Sequence, residues 1–178
     1  MAIQKNLIHI VTMGGTIDSS WSGLQDAIVV SEQSSLPAYF KKFPLIDELT
    51  FTHVCAKDSR AITEEDLKNL LKAVEESKAT RIIITHGTFT MPDTARFLLK
   101  KLKRKDQTII LTGATTPLRG FEMTDAPLNL GYAISHVQHL SPNVYIAMKG
   151  ESFSSEEIDK ELKEGNFHEI FSSEQARY

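Results

Sequence analysis

Three apolar runs in the sequence each end in a turn of small residues that carries threonine, and this recurrence limits the fold more than any other feature. The three segments are residues 11–16 (VTMGGT), 84–88 (ITHGT) and 111–115 (LTGAT). Short continuous apolar runs are typical of strands buried in parallel sheets, and the carboxyl ends of such strands meet at the ligand crevice of open α/β folds. The pattern therefore predicts that three hydroxyl-bearing turns line one site.

Apolar runs and helix-like stretches alternate along most of the chain. Strands are predicted at residues 7–11, 49–55, 81–85, 108–112 and 144–148. The clearest helix begins at Thr63, which an acidic first turn follows, and others are predicted from Met91, over residues 126–140 and after Ser154. This βαβ alternation predicts one α/β domain, a three-layer sandwich with a mainly parallel sheet of the Rossmann/flavodoxin-like kind.

A serine-rich segment at residues 18–37 interrupts this alternation and contains the single tryptophan, Trp21. The segment has neither strand nor helix periodicity, so the sequence predicts a long loop after the first strand. Long loops in compact domains are typically lids and binding loops, or disordered insertions. The segment could be either of these, and the Trp21 side chain could simply pack on the core.

Composition narrows the class of partner. The chain has 178 residues, of which 41% are hydrophobic and 24% charged, and a net charge of -3. These values are ordinary for a globular domain and give no attraction towards nucleic acid or an anionic membrane, so the expected partner is a small molecule or a second copy. Cys55 lies in an apolar run and is interpreted as a core residue. The sequence shows no secretory signal pattern and no apolar stretch of about 18 residues, so a cytoplasmic location is expected.

Familiar phosphate and metal motifs are absent from the sequence. It contains no GxGxxG turn, no GxxxxGK[ST] loop and no HExxH, so the paired glycines of the first turn are interpreted as a tight turn that allows close backbone approach. His9, His53 and His86 lie in or beside predicted strands and are interpreted as structural residues. Thr16 and Thr88 remain as candidate nucleophiles that a lysine of lowered pKa could activate. Their hydroxyls could instead cap the backbone that follows.

Three motifs, in this order and spacing, resemble the bacterial-type L-asparaginase/glutaminase family. They are GGTI at residues 14–17, THGTFTM at residues 85–91, and LTGA at residues 111–114 followed by Pro117. The resemblance covers nearly the whole chain but only the larger N-terminal domain of the two-domain enzymes. It implies a single asparaginase N-terminal-like domain over residues 1–178, without the family's C-terminal domain and without a metal or organic cofactor.

The resemblance also implies amide hydrolysis through a covalent acyl-enzyme. Thr16 matches the family's primary nucleophile, and Thr88 matches the threonine of a second Thr-Lys-Asp group. By its register after the last predicted strand, Lys160 corresponds to the family lysine, although without the resemblance it would be interpreted as an exposed helix residue. Backbone amides at the turns would stabilise the tetrahedral oxyanion; the candidate substrate-binding residues in the turns are Gly15, Gly87 and Ala114.

The segment before Thr63 carries the residues expected to hold a substrate carboxylate. Ser59 matches a family serine with that role. Arg60 stands where many members have glutamine, and its guanidinium could clamp a carboxylate through two hydrogen bonds. It could equally be a surface arginine. Asp58, the neighbour of Ser59, completes the candidate substrate-binding group.

One departure from the family pattern bears directly on activity. Phe89 stands where the family has the aspartate that binds the substrate α-ammonium and belongs to the Thr-Lys-Asp group. Phenylalanine cannot balance that charge, and losing the anion of a buried pair costs about 3–5 kcal/mol, so ordinary asparagine is expected to bind poorly. The chain could hydrolyse an amide without a free α-ammonium, recruit another carboxylate such as Asp58 or Asp18, or bind a ligand without turnover.

The sequence predicts an asparaginase-like amidohydrolase that converts a small carboxamide, L-asparagine or a related amide, to the acid and ammonia. The alternative is a catalytically inactive member that binds a small ligand or a protein partner. We rank the enzyme first because an unused site gives no physical need for Thr16, Thr88 and Lys160 together. A homodimer or higher homo-oligomer is expected, because most soluble oligomers are symmetric assemblies of identical chains.

Overall fold

The computed structural model describes residues 5–154, 156–158 and 160. Its strands are β1 (Leu7–Gly14), β2 (Ser19–Ser22), β3 (Ala27–Val30), β4 (Glu48–Lys57), β5 (Arg81–Thr85), β6 (Thr108–Thr112), β7 (Asn143–Met148) and β8 (Glu151–Ser154). Its helices are α1 (Leu36–Lys42), α2 (Glu64–Glu75), α3 (Met91–Lys101) and α4 (Ala126–Val137). Residues 156–158 and 160 are also helical, as the sequence predicts after Ser154.

Six strands form one sheet in the order β4-β1-β5-β6-β7-β8, and all neighbours are parallel except β7 and β8. The predicted α/β class and mainly parallel sheet are therefore confirmed. Each predicted strand is present, and the limits of β5 and β6 coincide with those of their apolar runs.

Side chains of the central strands alternate between two apolar cores, one on each face of the sheet. In β1, Ile8 and Ile10 pack with α1 and α4, whereas Val11 and Met13 point to the opposite face. That opposite face is covered by α2 and α3, through the apolar side chains Leu70, Val74, Ala95 and Leu98. Because both faces of the strands are covered by helices, the strands read as continuous apolar runs rather than as alternating patterns.

The helices begin at the signals that the sequence carries. Thr63 caps α2: its hydroxyl accepts a hydrogen bond from Asp66 N, and the Asp66 carboxylate accepts one from Thr63 N, which together form a capping box. The same carboxylate pairs with Lys57 at 2.6 Å, so the end of β4 is tied to the start of α2. A proline in the first turn opens both α3 and α4.

The prediction of a loop over residues 18–37 is wrong, because this segment contains the β2–β3 hairpin and ends in the first two residues of the helix α1. The hairpin pairs Trp21 with Ile28, and both side chains are exposed, at 58% and 47%. Trp21 therefore does not pack on the core. The strands have only four residues each and the helix seven, too few for a periodicity to emerge from a serine-rich sequence.

The strand order places a ligand crevice at the ends of β1 and β5. Numbered among the parallel strands alone, the order β4-β1-β5-β6-β7 is 2-1-3-4-5, with the connections from the adjacent strands β1 and β5 leaving towards opposite sides. Open α/β sheets bind ligands outside the carboxyl ends of such a neighbouring pair. None of the described helices is long and apolar enough to cross a membrane.

Candidate functional site

The turns after β1 and β5 touch through glycine backbone. Gly15 has φ +78°, and a Cβ atom there would lie 2.4 Å from Gly87 N. Gly87 in turn lies against Ser59, whose Cβ would be 2.8 Å from an added Cβ. Only glycine allows backbone segments to approach this closely. The first two threonine turns and the segment after β4 are therefore packed together at one edge of the sheet.

A pocket of about 210 Å³ opens where these three segments meet. It is lined by residues of the turn after β1, the segment after β4 and the turn after β5: Gly15, Thr16, Asp58, Ser59, Arg60, Gly87, Thr88 and Phe89. The structure thus brings together eight of the ten candidate site residues, and it does so at the edge that the strand order indicates.

Thr16 and Thr88 both face this pocket with half-buried side chains. Thr16 begins a short 3-10 helix, Thr16–Asp18, whose first turn has no side-chain cap. Within the described part of the chain, the Thr16 and Thr88 hydroxyls have no hydrogen-bond partner, whereas the Thr90 hydroxyl donates to Ser59 O at 2.8 Å. The capping role considered for the two hydroxyls is therefore not what the structure shows.

Ser59 is held rigidly at the floor of the pocket. The residue is buried, and its hydroxyl oxygen accepts a hydrogen bond from Thr90 N at 3.3 Å. With the Thr90 hydroxyl bound to Ser59 O, two hydrogen bonds connect the segment after β4 to the start of α3. Among the described residues the Ser59 hydroxyl donates to no acceptor, so its proton is available to a ligand. Thr90 was not singled out from the sequence, although it belongs to the same threonine-rich motif.

Asp58, Arg60 and Phe89 form a chain of contacts at the mouth of the pocket. Arg60 donates to Asp58 twice, from Nε to Oδ1 and from Nη2 to Oδ2, each at 2.9 Å. The guanidinium carbon also lies 5.5 Å from the centre of the Phe89 ring, within the range of a cation–π contact. Hydrogen bonds from the Arg60 side chain hold the pKa of the Asp58 carboxyl below its usual value. Both charged side chains are more than half exposed, so water screens their pairing.

The His86 side chain supports the Gly87–Thr88 turn from inside the protein. The ring is fully buried; Nδ1 donates to Gly87 O at 2.7 Å, so in the neutral ring Nε2 accepts from the Thr94 hydroxyl at 3.0 Å. The interpretation of His86 as a structural histidine is confirmed. His9 and His53 are also bonded to side-chain hydroxyls, His9 to Ser77 and Thr52, and His53 to Thr12.

His86 makes stability depend on pH. Burial lowers the pKa of its imidazole to about 4 from an ordinary 6.5, although the hydrogen bond to the Gly87 carbonyl opposes the shift. Between these two values the unfolded chain takes up the proton and the folded chain does not, so the free energy of unfolding is expected to fall as the pH drops through this range. An NMR titration of the ring should give a midpoint near 4, and a midpoint near 6.5 would contradict its burial. The difference between wild type and His86→Asn in the pH dependence of the free energy of unfolding isolates the contribution of this ring.

The third threonine turn does not line the pocket. The Thr112 hydroxyl donates to Ala147 O at 2.8 Å, inside the sheet. Ala114 is buried among the apolar residues below α4. Buried Asn129, which the sequence gave no reason to single out, donates to Gly113 O and accepts from Lys149 N, both at 2.9 Å. This turn supports the neighbouring elements, and the expectation that three hydroxyl turns line one pocket holds for the first two.

Two charged candidates lie outside the pocket lining. Lys160 is an exposed helical residue, two positions after the buried Ile158. Asp18 is buried, and its Oδ1 accepts hydrogen bonds from the backbone and hydroxyl of Ser35. Burial raises the pKa of the Asp18 carboxyl despite these bonds. Asp18 therefore faces the start of α1, and of the two carboxylates considered as substitutes for the family aspartate only Asp58 reaches the pocket.

Comparison with known proteins gives consistent matches over most of the chain. A family profile described as "Asparaginase, N-terminal" matches residues 7–175. A glutaminase-asparaginase of Acinetobacter glutaminasificans is 29% identical over 167 residues, which cover 88% of this chain and 50% of that protein. A Haemophilus influenzae protein named "Probable L-asparaginase periplasmic" is 28% identical over 161 residues, covering 86% of this chain and 46% of that protein.

A solved structure shares the fold. The structure titled "Probable Cytoplasmic L-asparaginase from Campylobacter jejuni" superposes with a TM-score of 0.71 at 25% identity, over 85% of this chain and 48% of that chain. The present chain thus spans about half the length of the relatives that it matches. Their names place one relative in the cytoplasm and another in the periplasm.

Proposed function

Since the chain belongs to the asparaginase family by its match to the N-terminal domain, we propose that it hydrolyses a small carboxamide, L-asparagine or a related amide, to the acid and ammonia. One observation carries this proposal. Thr16 and Thr88, on neighbouring strand ends, present hydroxyls without a hydrogen-bond partner among the described residues to a single pocket that also contains Ser59 and Arg60.

In the proposed mechanism, the Thr16 oxygen attacks the amide carbonyl and gives up its proton as the tetrahedral intermediate forms. Collapse of the intermediate breaks the C–N bond, and the nitrogen leaves as ammonia after receiving a proton. Water then attacks the threonine ester, which releases the acid and restores the hydroxyl. Backbone amides of the Gly15 and Gly87 turns are the groups proposed to stabilise the oxyanion.

Proton transfer is assigned to Thr88 and Lys160. Thr88 is supported by its place in the pocket beside Thr16. The role of Lys160 depends on its sequence register with the family lysine, since its exposed side chain is not among those that line the pocket. Ser59 is proposed to donate its hydroxyl proton to a substrate carboxylate, with Arg60 as a second donor.

Phe89 favours a second candidate function, a catalytically inactive family member that binds a small ligand or a protein partner. The exposed ring brings no negative charge to the pocket mouth. We retain the enzyme as the first proposal because both threonine hydroxyls are available. A cytoplasmic location and a homodimer or higher homo-oligomer remain part of the proposal, as predicted from the sequence.

Ammonia release by the purified protein tests the proposal. The assay uses L-asparagine, L-glutamine, and N-acylated and des-amino amides as substrates, with ammonia and the carboxylic acid both quantified. We expect equimolar ammonia and acid from at least one of these amides. Binding of an amide, seen as a rise in melting temperature, with no product from any substrate would instead favour the inactive binding protein.

A further inference from the structure

The charges at the mouth of the pocket are already paired with each other. Asp58 is the only acidic residue among those that line the pocket in the described part of the chain. Its Oδ1 accepts from Arg60 N and Nε, and its Oδ2 accepts from Arg60 Nη2. An ammonium group brought to this carboxylate would lie beside the guanidinium and be repelled by it. Among the described residues that line the pocket, none therefore offers an unpaired carboxylate to a substrate ammonium.

Hydrogen-bond donors, by contrast, remain available. The Nη1 group of Arg60 makes no hydrogen bond to any residue that the structure describes, and the guanidinium is held in place by its two bonds to Asp58. Ser59, at the floor of the same pocket, accepts from Thr90 N and keeps its hydroxyl proton. A guanidinium N–H and a hydroxyl in one pocket are suited to an acceptor-only group such as a carboxylate.

Phe89 adds an apolar surface to the same place. Its ring is 55% exposed, and the Arg60 guanidinium lies 5.5 Å from the ring centre. Because the guanidinium already makes this cation–π contact, a substrate cation would have to compete with the positive charge of Arg60 for the ring. An uncharged group that lies on the exposed part of the ring brings no charge against the guanidinium and gains from apolar burial.

We propose that the preferred substrate is a carboxamide that carries a free carboxylate but no α-ammonium, with an N-acyl group or hydrogen where an amino acid has its ammonium. The carboxylate lies against Arg60 Nη1 and the Ser59 hydroxyl, and the uncharged group lies on the Phe89 ring. Arg60 and Phe89 act together as the specificity-determining pair. This inference deepens the proposed function and rests on it for turnover, because it takes Thr16 as the group that attacks the amide.

The test compares N-acetyl-L-asparagine and succinamate, the des-amino analogue, with L-asparagine. We expect kcat/KM to be at least about tenfold higher for one or both of the first two, which corresponds to about 1.4 kcal/mol. The double variant Arg60→Gln/Phe89→Asp removes the guanidinium and introduces a carboxylate, so it should reverse the preference towards L-asparagine. Phe89→Asp alone should not, because the new carboxylate would pair with Arg60 and stay unavailable. A wild-type preference for L-asparagine overturns the inference and leaves the amidohydrolase proposal intact.

Binding of the product acids separates failure of this inference from failure of the proposed function. If wild-type protein releases no ammonia from any amide, titration calorimetry with N-acetyl-L-aspartate, succinate and L-aspartate still decides the question. Tighter binding of N-acetyl-L-aspartate or succinate supports the assigned specificity although the enzyme proposal has failed. Tighter binding of L-aspartate, or binding of none of the three acids, overturns the assigned specificity. Circular dichroism of each variant verifies that the fold is retained.

Discussion

Replacement of Thr16 by alanine is expected to abolish ammonia release, lowering kcat/KM by at least about a thousandfold. The substitution removes the oxygen that forms the acyl bond, and no other hydroxyl lies on the same turn within the pocket lining. The cost in stability should be within about 0.5 kcal/mol, because the side chain is half-buried and its hydroxyl bonds to no described residue. Ammonia release and urea denaturation, measured on the same preparation, separate the two effects.

Thr16→Ser is the matched control, since it keeps the nucleophilic oxygen and loses only the methyl group. Thr16→Ser should retain measurable turnover. Thr88→Ala should lower kcat, because Thr88 is proposed to take part in proton transfer. If Thr16→Ala hydrolyses amides at the wild-type rate, Thr16 is not the nucleophile. Equal losses in Thr16→Ala and Thr16→Ser would point to packing of the methyl group, and not to the hydroxyl, as the source of the effect.

Replacement of Gly15 by alanine is expected to lower the free energy of unfolding by about 2–4 kcal/mol. The positive φ of +78° is costly for an L side chain, and the new Cβ would lie 2.4 Å from Gly87 N and 2.5 Å from Gly87 Cα. Backbone cannot rotate out of the way as a side chain can, so the turns after β1 and β5 must separate. Activity should therefore be lost together with stability.

Gly120→Ala is the matched control for the Gly15 variant. Gly120 has a similar φ of +83°, but an added Cβ would meet no atom within 4 Å. The loss there should be about 1–2 kcal/mol, the cost of the backbone conformation alone. Urea denaturation of the two variants gives the difference, which measures the close approach of the turns. Equal losses at the two positions would show that the contact between Gly15 and Gly87 does not contribute.

The parallel core of the fold could be predicted because each strand carries its own signal. The limits of β5 and β6 coincide with the predicted ones, since each strand has three central apolar residues that are buried, with a polar residue at either end. The antiparallel strand β8 gave no such signal. It follows β7 through Lys149 and Gly150, both at positive φ, and its four residues include no continuous apolar run.

The site residues that could be predicted are those whose neighbours in the sequence already indicate their place in the fold. Thr16 and Thr88 stand behind glycines at strand ends, so their sequence neighbours already indicated a turn at the ligand edge. The pairing of Arg60 with Asp58 and its contact with Phe89 could not be foreseen. Phe89 is far from Arg60 along the chain, and whether a guanidinium is free for a ligand depends on which side chains surround it.

The sequence by itself determined the α/β class, the parallel strands and the two threonine turns, because hydrophobic periodicity and glycine turns act over a few residues. Tertiary structure alone decided that the third turn supports the sheet, that Asp18 faces away from the pocket, and that the pocket mouth holds a paired carboxylate. The first two outcomes depend on strand order and on contacts between segments far apart in the chain, whereas the third is a contact between Asp58 and Arg60 that depends on the conformation of the segment after β4. The burial of a side chain and its hydrogen-bond partners are set by the folded backbone, which no local sequence pattern specifies.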